Sequence, residues 1–260
     1  MNPTIRSPRS VAALCAWAPL LLVALPATAQ DAAQPVVYAT YYQCDFTKIA
    51  RMDSLTSALW GPLADEYVAQ GRASAWGWLG HHTGGAWTRA IYVIAPDVAA
   101  AVRASDDMLT DALQRDRGAV LESAAACPVH EDYIWQRVEG SQPPEQLATD
   151  RPAAGLSIYY ECSAAREERA DELIATRLRS ALDRAVESGG LQSWSWLAHV
   201  VGGKYRRALV TDGPDAVTVI EAVGSLSTSM RGNEANAFRE FSEICPSHQD
   251  YVWSILTPTS

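Results

Sequence analysis

An internal repeat constrains the fold of this chain more than any other feature of its sequence. Residues 74–89 read SAWGWLGHHTGGAWTR and residues 192–207 read QSWSWLAHVVGGKYRR, so that Trp76 corresponds to Trp194, 118 residues later. The same offset relates YYQC at 41–44 to YYEC at 159–162, and CPVHEDYIW at 127–135 to CPSHQDYVW at 245–253. No insertion or deletion separates these anchors, which predicts two copies of one structural unit.

The first 29 residues have the three parts of a secretory signal peptide. A basic head with Arg6 and Arg9 precedes an apolar run over residues 11–25 and the small residues Ala-Thr-Ala at 27–29. We expect cleavage after Ala29 and a periplasmic or secreted protein. No later segment approaches the roughly 18 apolar residues of a membrane span, so none is predicted.

The charge of the chain argues against nucleic acid as a partner. Its 30 Asp and Glu outnumber its 21 Lys and Arg, for a net charge of −9 at pH 7. Removal of Arg6 and Arg9 with the leader makes the remaining chain more acidic still. An acidic chain without a run of Lys or Arg repels phosphate backbones.

The number of cysteines predicts disulfide bonds. Cys15 lies in the leader, so four cysteines remain, at positions 44, 127, 162 and 245. An even number in an exported chain indicates two disulfides, for which three pairings are possible.

Each copy has the periodicities of a β-α-β-β-α-β unit. The Val- and Tyr-rich residues 35–44 predict a strand, and the apolar stripe after Asp53 predicts a helix that this residue caps and that ends at Gly71. The Trp-rich stretch and the residues after Gly84-Gly85 predict a hairpin. A second helix and a strand over 131–138 complete the unit.

The second copy predicts the same elements, with Asp171 as the cap of its first helix. We therefore expect repeats over residues 35–139 and 155–257, joined by a Pro-containing linker over 140–154. Only the first copy has Gly61-Pro62 within its first helix, which predicts a kink in that copy alone.

This element order, present twice, resembles the dimeric α/β-barrel superfamily, in which two ferredoxin-like units lay their sheets together. The resemblance rests on duplication and element order, and it covers nearly all of the chain after the leader. It implies an α+β fold with two ferredoxin-like βαββαβ units in tandem, which form a pseudo-dimeric barrel within one chain. In such a unit the last strand runs antiparallel beside the first. The fold therefore implies the disulfides Cys44–Cys127 and Cys162–Cys245 rather than bonds between the copies.

Repeated aromatic residues are candidates for a ligand-binding wall. The candidate residues are Trp76, Trp78, Trp194, Trp196, Tyr41 and Tyr159. The two Trp residues of each copy are two positions apart, so they point to one face of their strand and suit a flat or apolar ligand. The alternative, which we favour for the Trp residues, is that these rings only fill the space between sheets and helices.

The repeated histidines are candidates for a base or a ligand. His81 and His199 fall on the opposite strand face from the Trp rings, whereas His130 and His248 follow Cys-Pro at the start of the last strand. We expect the second pair to satisfy backbone groups at that turn. No Cys-x-x-Cys or His-Glu-x-x-His spacing is present, and no metal site is assigned.

Arg89 and Arg207 lie within otherwise apolar strands, where an arginine needs a partner. The repeated acids Glu122 and Glu240 are the predicted ion-pair partners. The alternative partner is a carboxylate of a ligand.

Two functions are open at this point. The first is an exported, disulfide-bonded binding or structural module that holds a small apolar or aromatic molecule, or none, because most repeated residues are Trp, Tyr, Gly and Cys. The second follows from the resemblance, since the superfamily includes cofactor-free monooxygenases, haem-degrading oxygenases and haem-dependent chlorite dismutases. In that case, His81 and His199 would be ligand or base, and Arg89 and Arg207 would stabilise an anion. No cofactor is assigned, and the chain suits a monomer or a homo-oligomer.

Overall fold

The computed structural model describes residues 34–141 and 152–257 of the chain. The predicted leader over residues 1–29 lies outside the described residues, and so does most of the predicted linker over 140–154. Within the two described ranges, no helix is long and apolar enough to cross a membrane.

The first unit has the predicted order of elements. Its strands and helices are β1 (Val36–Gln43), α1 (Ile49–Leu55), α2 (Gly61–Ala69), β2 (Ala75–Gly84), β3 (Arg89–Ala95), α3 (Val98–Ala126) and β4 (Val129–Gly140). A π-helical segment, Thr56–Trp60, joins α1 directly to α2.

The second unit repeats this order. Its strands and helices are β5 (Ala154–Glu161), α4 (Glu167–Leu173), α5 (Arg179–Glu187), β6 (Ser193–Val201), β7 (Arg207–Gly213), α6 (Ala216–Asn233), α7 (Ala235–Ile244) and β8 (Ser247–Ile255). A π-helical segment, Ile174–Leu178, joins α4 to α5.

The eight strands form one closed barrel in the order β1-β3-β2-β8-β5-β7-β6-β4. Within each unit the last strand pairs with the first, the first with the third and the third with the second, as in a ferredoxin-like sheet. The antiparallel pairs β2–β8 and β4–β6 join the two units. The predicted α+β fold, a pseudo-dimeric barrel of two ferredoxin-like units, is confirmed.

Strand alternation divides the side chains between two environments. The buried aromatic residues of the lumen are Tyr41, Trp87, Tyr133, Trp135, Tyr159, Tyr205, Tyr251 and Trp253, and the partly buried Tyr92 packs against them. Outward residues pack beneath the helices in a separate cluster for each unit. The core therefore consists of one lumen layer and two layers between helices and sheet.

Both predicted disulfides are confirmed. Cys44 bonds to Cys127, and Cys162 bonds to Cys245, each across 83 residues. They form because β1 and β4 are antiparallel neighbours, as are β5 and β8, so the end of one strand meets the start of the other. A loop of this length contributes about 4 kcal/mol in the chain-entropy model. Two such bonds fit an oxidising, extracellular compartment.

The predicted starts of the first helices are wrong. Helix α1 begins at Ile49 and α4 at Glu167, so Asp53 and Asp171 lie inside helices and do not cap them. The irregularity expected near Pro62 is not confined to the first unit, because a π-helical segment occurs at the same place in both. Pro62 itself lies in the first turn of α2, where a missing backbone N–H is tolerated.

Asp53 instead fastens its helix to the sheet. Arg89 donates from Nε and Nη2 to the two oxygens of Asp53, each at 2.7 Å, and Trp78 donates from Nε1 at 2.9 Å. Burial opposes ionisation of Asp53, but these hydrogen bonds outweigh it and hold the pKa of the carboxyl below its usual value. The corresponding residues of the second unit are Asp171, Arg207 and Trp196.

The ion-pair partners predicted for these two arginines are wrong. Glu122 accepts hydrogen bonds from Arg51, and Glu240 accepts them from Arg169, on the exposed helix surface. The arginines bind Asp53 and Asp171 because these residues lie inside the helices that pack on the sheet.

Replacement of Arg89 is expected to destabilise the fold. Arg89→Ala leaves Asp53, whose side chain is 32% exposed, without its cation, and we expect the free energy of unfolding to fall by about 3 kcal/mol. Arg51→Ala is the matched control, because it breaks an exposed pair worth less than about 1 kcal/mol. Urea unfolding followed by Trp fluorescence measures both variants. Equal losses of the free energy of unfolding in the two variants would contradict a special contribution of the Arg89–Asp53 pair to stability.

Candidate functional site

Each unit has a cavity between its helices and the outer face of its sheet. The cavity of the first unit has a volume of about 480 Å³, and that of the second about 370 Å³. They occupy equivalent places, since most of their lining positions are related by the repeat offset. We call them the first and second helix–sheet cavities.

The second helix–sheet cavity is apolar. Eight of its lining residues are Leu156, Ile158, Ile174, Leu178, Leu209, Val223, Phe238 and Phe241. Ile220, which also lines it, is 42% exposed, so apolar surface remains in contact with solvent. A concave site of this composition suits a small apolar molecule.

The first helix–sheet cavity is more polar. At the eight equivalent positions it has Tyr38, Thr40, Thr56, Trp60, Ile91, Ser105, Val120 and Ser123. Some of these groups bond to each other or to neighbours: Thr40 donates to Asp132 at 2.6 Å, and Trp60 Nε1 donates to Ser123 at 3.3 Å. The two cavities therefore share a scaffold but differ in chemistry.

A histidine and an aspartate line each cavity together. His248 Nε2 lies 3.7 Å from Asp250, and His130 Nε2 lies 3.5 Å from Asp132, with each imidazole about half exposed. Burial raises the pKa of Asp250 more than His248 lowers it. A histidine beside a carboxylate can act as a general base. Sequence reasoning missed this pairing, although the His-x-Asp spacing on one strand places both side chains on the same face.

Tyr41 and Tyr159 meet in the lumen of the barrel. The Tyr159 hydroxyl donates to the Tyr41 hydroxyl at 3.1 Å. Burial raises the pKa of Tyr159 to about 12 and raises the pKa of Tyr41 well above its usual value. Together with Trp135 and Trp253, they line a cavity of about 100 Å³, which we call the lumen cavity.

His81 and His199 line none of these three cavities. The Nε2 atom of each is buried and has no hydrogen-bond partner among the described residues. Arg206 donates to Nδ1 of His199 at 2.8 Å, and burial, followed by this arginine, lowers the pKa of His199. Their predicted role as ligand or base stays a prediction.

The predicted Trp residues lie between sheet and helices. Trp76, Trp78, Trp194 and Trp196 are each at most 2% exposed. Their indole N–H groups donate, in the same order, to Asp65, Asp53, Asp183 and Asp171 on the helices. The structure therefore gives them a place in the core, and Trp78 also lines the first helix–sheet cavity. Their role as a ligand wall stays a prediction.

The structure brings together only some of the candidate residues. Trp78 meets Arg89 at Asp53, and the two tyrosines meet in the lumen. The ring of His199 contacts Trp135, a wall residue of the lumen cavity, at a centroid distance of 6.1 Å, and His81 contacts Tyr251 at 6.5 Å. Across residues 34–141 and 152–257, no three His, Cys, Asp or Glu side chains gather where they could hold a metal ion.

Asp212 is a titratable lumen residue that sequence reasoning missed. It lies on β7 and lines the lumen cavity, and Ser193 donates to its carboxylate at 2.8 Å. Burial raises the pKa of Asp212 to about 6, although the hydrogen bond from Ser193 lowers it. The first unit has Ile94 at the equivalent position. A comparison of the lumen-facing positions of the two copies would have shown that an aspartate replaces an apolar residue here.

Solved structures with similar folds support this architecture. No protein-family model matches the sequence, and neither does any curated protein. A putative monooxygenase from Lactobacillus acidophilus is 8% identical, with a TM-score of 0.56 over 86% of this chain and 95% of that one. An anthrone oxidase-like protein is 6% identical (TM-score 0.55, 86% and 92%), and a putative chlorite dismutase is 9% identical (TM-score 0.50, 85% and 94%). At these identities the likeness shows the fold, which is that of the dimeric α/β-barrel proteins.

The ionisation of Asp212 is expected to make stability depend on pH. Its folded-state pKa of about 6 exceeds the roughly 3.9 of an unfolded aspartate, so the folded chain holds the proton more tightly. The free energy of unfolding contributed by this group therefore falls as pH rises from about 4 to 6. Asp212→Asn should be about 2 kcal/mol more stable than the parent at pH 8 and nearly equal to it at pH 4.

Urea unfolding between pH 4 and pH 8 measures this difference. Glu221→Gln, which removes an exposed carboxylate on α6, is the matched control and should follow the parent at every pH. A stability gain for Asp212→Asn that is the same at all pH values would contradict the shifted ionisation.

Proposed function

We propose that this protein is an exported binding module whose second helix–sheet cavity holds a small, mostly apolar molecule. The observation that carries the proposal is the lining of this cavity by aliphatic and phenyl side chains at positions where the first unit is more polar. The two disulfides and the predicted leader support export.

The energetics favour an apolar ligand in this cavity. A ligand that covers its lining removes apolar surface from water, at about 25 cal/mol per Å². Ser227 and Ser242, with Arg231 and His248, are polar residues of the lining that would orient one end of the ligand. In the first helix–sheet cavity, the same ligand would have to displace hydrogen-bonding partners from groups such as Thr40 and Ser123.

Two glycines on α6 allow a sharp test. Gly224 lines the second helix–sheet cavity, Gly232 is not among its lining residues, and a Cβ at either position meets no atom within 4 Å. Gly224→Phe is expected to fill the cavity and to weaken binding of the neutral fluorescent probe N-phenyl-1-naphthylamine at least about tenfold. Gly232→Phe, the matched control, should bind the probe as the parent does.

Fluorescence titration of the probe measures the affinity of all three proteins. Both substitutions remove a glycine from a helix, which favours folding. Absence of saturable binding by the parent would contradict the proposal, and so would equal affinities in the two variants.

Oxidation of an apolar aromatic molecule is a second candidate function. The pair His248 and Asp250 favours it, because a base at an apolar cavity can take a proton from a bound carbon acid. The structural neighbours described as a putative monooxygenase and an anthrone oxidase-like protein support the same candidate by analogy of fold.

The cavity residues do not form a haem site. The imidazole that lines the second helix–sheet cavity, His248, has Nε2 turned to Asp250 and is half exposed. An axial haem ligand is held rigidly inside an enclosed pocket, which a half-exposed imidazole is not. In the second candidate function, His248 therefore acts in proton transfer, and molecular oxygen is the oxidant.

Anthrone in oxygenated buffer tests the second candidate. Absorbance measures its conversion to anthraquinone, with oxygen as the oxidant. His248→Gln should lower the rate at least about a hundredfold, and His130→Gln, its counterpart in the first unit, should leave the rate unchanged. A rate equal to that of buffer alone would exclude this substrate and leave the binding module in place.

A further inference from the structure

The two units contribute unequally to the lumen cavity. The second unit contributes the polar residues Ser157, Ser195 and Asp212, where the first unit has Ala39, Gly77 and Ile94. The first unit contributes Arg137 and Tyr92, where the second unit has Ile255 and Val210. Three polar groups that the repeat does not share therefore converge on one small cavity. Packing does not require these three polar side chains, because the equivalent positions of the first unit hold alanine, glycine and isoleucine in the same fold.

The carboxylate of Asp212 has no cation beside it in the described part of the chain. Burial is the largest influence on its pKa, and the hydrogen bond from Ser193 is the other. Arg137 of the first unit also lines the cavity, but no ion pair between it and Asp212 occurs among the described residues. An ionised carboxylate in this position lacks the countercharge that buried charges need.

The rest of the cavity wall is aromatic and aliphatic. Tyr41, Tyr159, Trp135 and Trp253 line it, with Leu79 and Leu197. Aromatic rings around a carboxylate are the combination that recognises organic cations, because the ring faces attract positive charge and cover the attached carbon atoms.

The volume of the cavity limits the size of the occupant. At about 100 Å³, it is smaller than the roughly 150 Å³ apolar cavity that binds benzene. A ligand of about four to six heavy atoms fits this space.

We propose that the lumen of the barrel binds a small organic cation, a primary or methylated ammonium. Its charge pairs with the carboxylate of Asp212, Ser157 and Ser195 accept hydrogen bonds from it where it carries N–H groups, and its carbon atoms lie against the Tyr and Trp rings. This site faces the opposite side of the sheet from the helix–sheet cavities, so the proposal does not depend on the function proposed for them.

Isothermal titration of the full chain with ethylammonium and tetramethylammonium chloride tests this site, with sodium chloride and tert-butanol as charged and neutral reference solutes. At least one ammonium should bind saturably to one site per chain. Asp212→Asn should weaken that binding at least about tenfold. Glu221→Gln, which removes an exposed carboxylate of the same charge, should bind as the parent does. Ser195→Leu, which places an apolar side chain in the cavity, should abolish binding.

The affinity should also be higher at pH 8 than at pH 5, because protonation of Asp212 removes its charge near pH 6. The other titratable or charged groups on the cavity wall are Arg137, Tyr41, Tyr92 and Tyr159, which ordinarily titrate outside this range. Three results would overturn the proposal: no saturable binding of either ammonium, equal affinity in Asp212→Asn, or equal affinity for tert-butanol. Melting temperatures of all variants establish that each is folded before titration.

Discussion

Closure of the barrel by a single chain is the constraint on which the rest of this structure depends. A lone ferredoxin-like unit would leave the two outer strands of its sheet with unpaired backbone groups, which invite aggregation. The pairs β2–β8 and β4–β6 satisfy those groups with the other unit. Closure also creates a lumen that side chains must fill, and large flat rings fill it. Tyr133 stacks on Trp135 with ring centroids 4.9 Å apart, and Tyr251 stacks on Trp253 at 5.0 Å. The helices are then confined to the outside, where the helix–sheet cavities form.

The two units have the same contacts between helices and sheet, but different side chains line their cavities. The disulfides, the bidentate Arg–Asp pairs and the Trp–Asp hydrogen bonds occur in both units, and each of them ties a helix, or the loop at its end, to the sheet. The cavity linings differ at most positions, as Thr40 against Ile158 and Ser123 against Phe241 show. Most lining positions that differ between the units take no part in these ties, although Trp78, Cys127 and Cys245 both tie the scaffold and line a cavity. One cavity can therefore change its chemistry without loss of the fold.

Sequence reasoning reached the fold because the repeat indicated two copies of one unit, and the resemblance of that unit to the ferredoxin-like arrangement implied which strands are neighbours. The disulfide pairing followed from that resemblance, since Cys44 and Cys127 flank strands that a ferredoxin-like unit places side by side. Sequence reasoning failed where the result depended on which side chains face each other between a helix and the sheet. Asp53 precedes an apolar stripe, and aspartate is a common N-cap residue. In the structure, however, Asp53 lies inside α1 and accepts a hydrogen bond from Arg89 of the sheet. The cavities could not be predicted for the same reason, because His248 and Phe241 line one cavity only after α7 has packed on the sheet.

The pairing register of the strands determines which residues face each of the two proposed sites. Along β5, Leu156 and Ile158 face the apolar helix–sheet cavity, whereas Ser157 between them faces the lumen. Along β7, Leu209 faces the helices and Asp212 faces the lumen. A shift of one residue in the pairing of either strand would exchange these environments, placing the carboxylate under the helices and leucine in the lumen. The hydrogen-bond register that closes the barrel therefore also determines which chemistry each side of the sheet presents. The small polar site and the larger apolar site are consequences of one arrangement of strands, separated by the thickness of a single sheet.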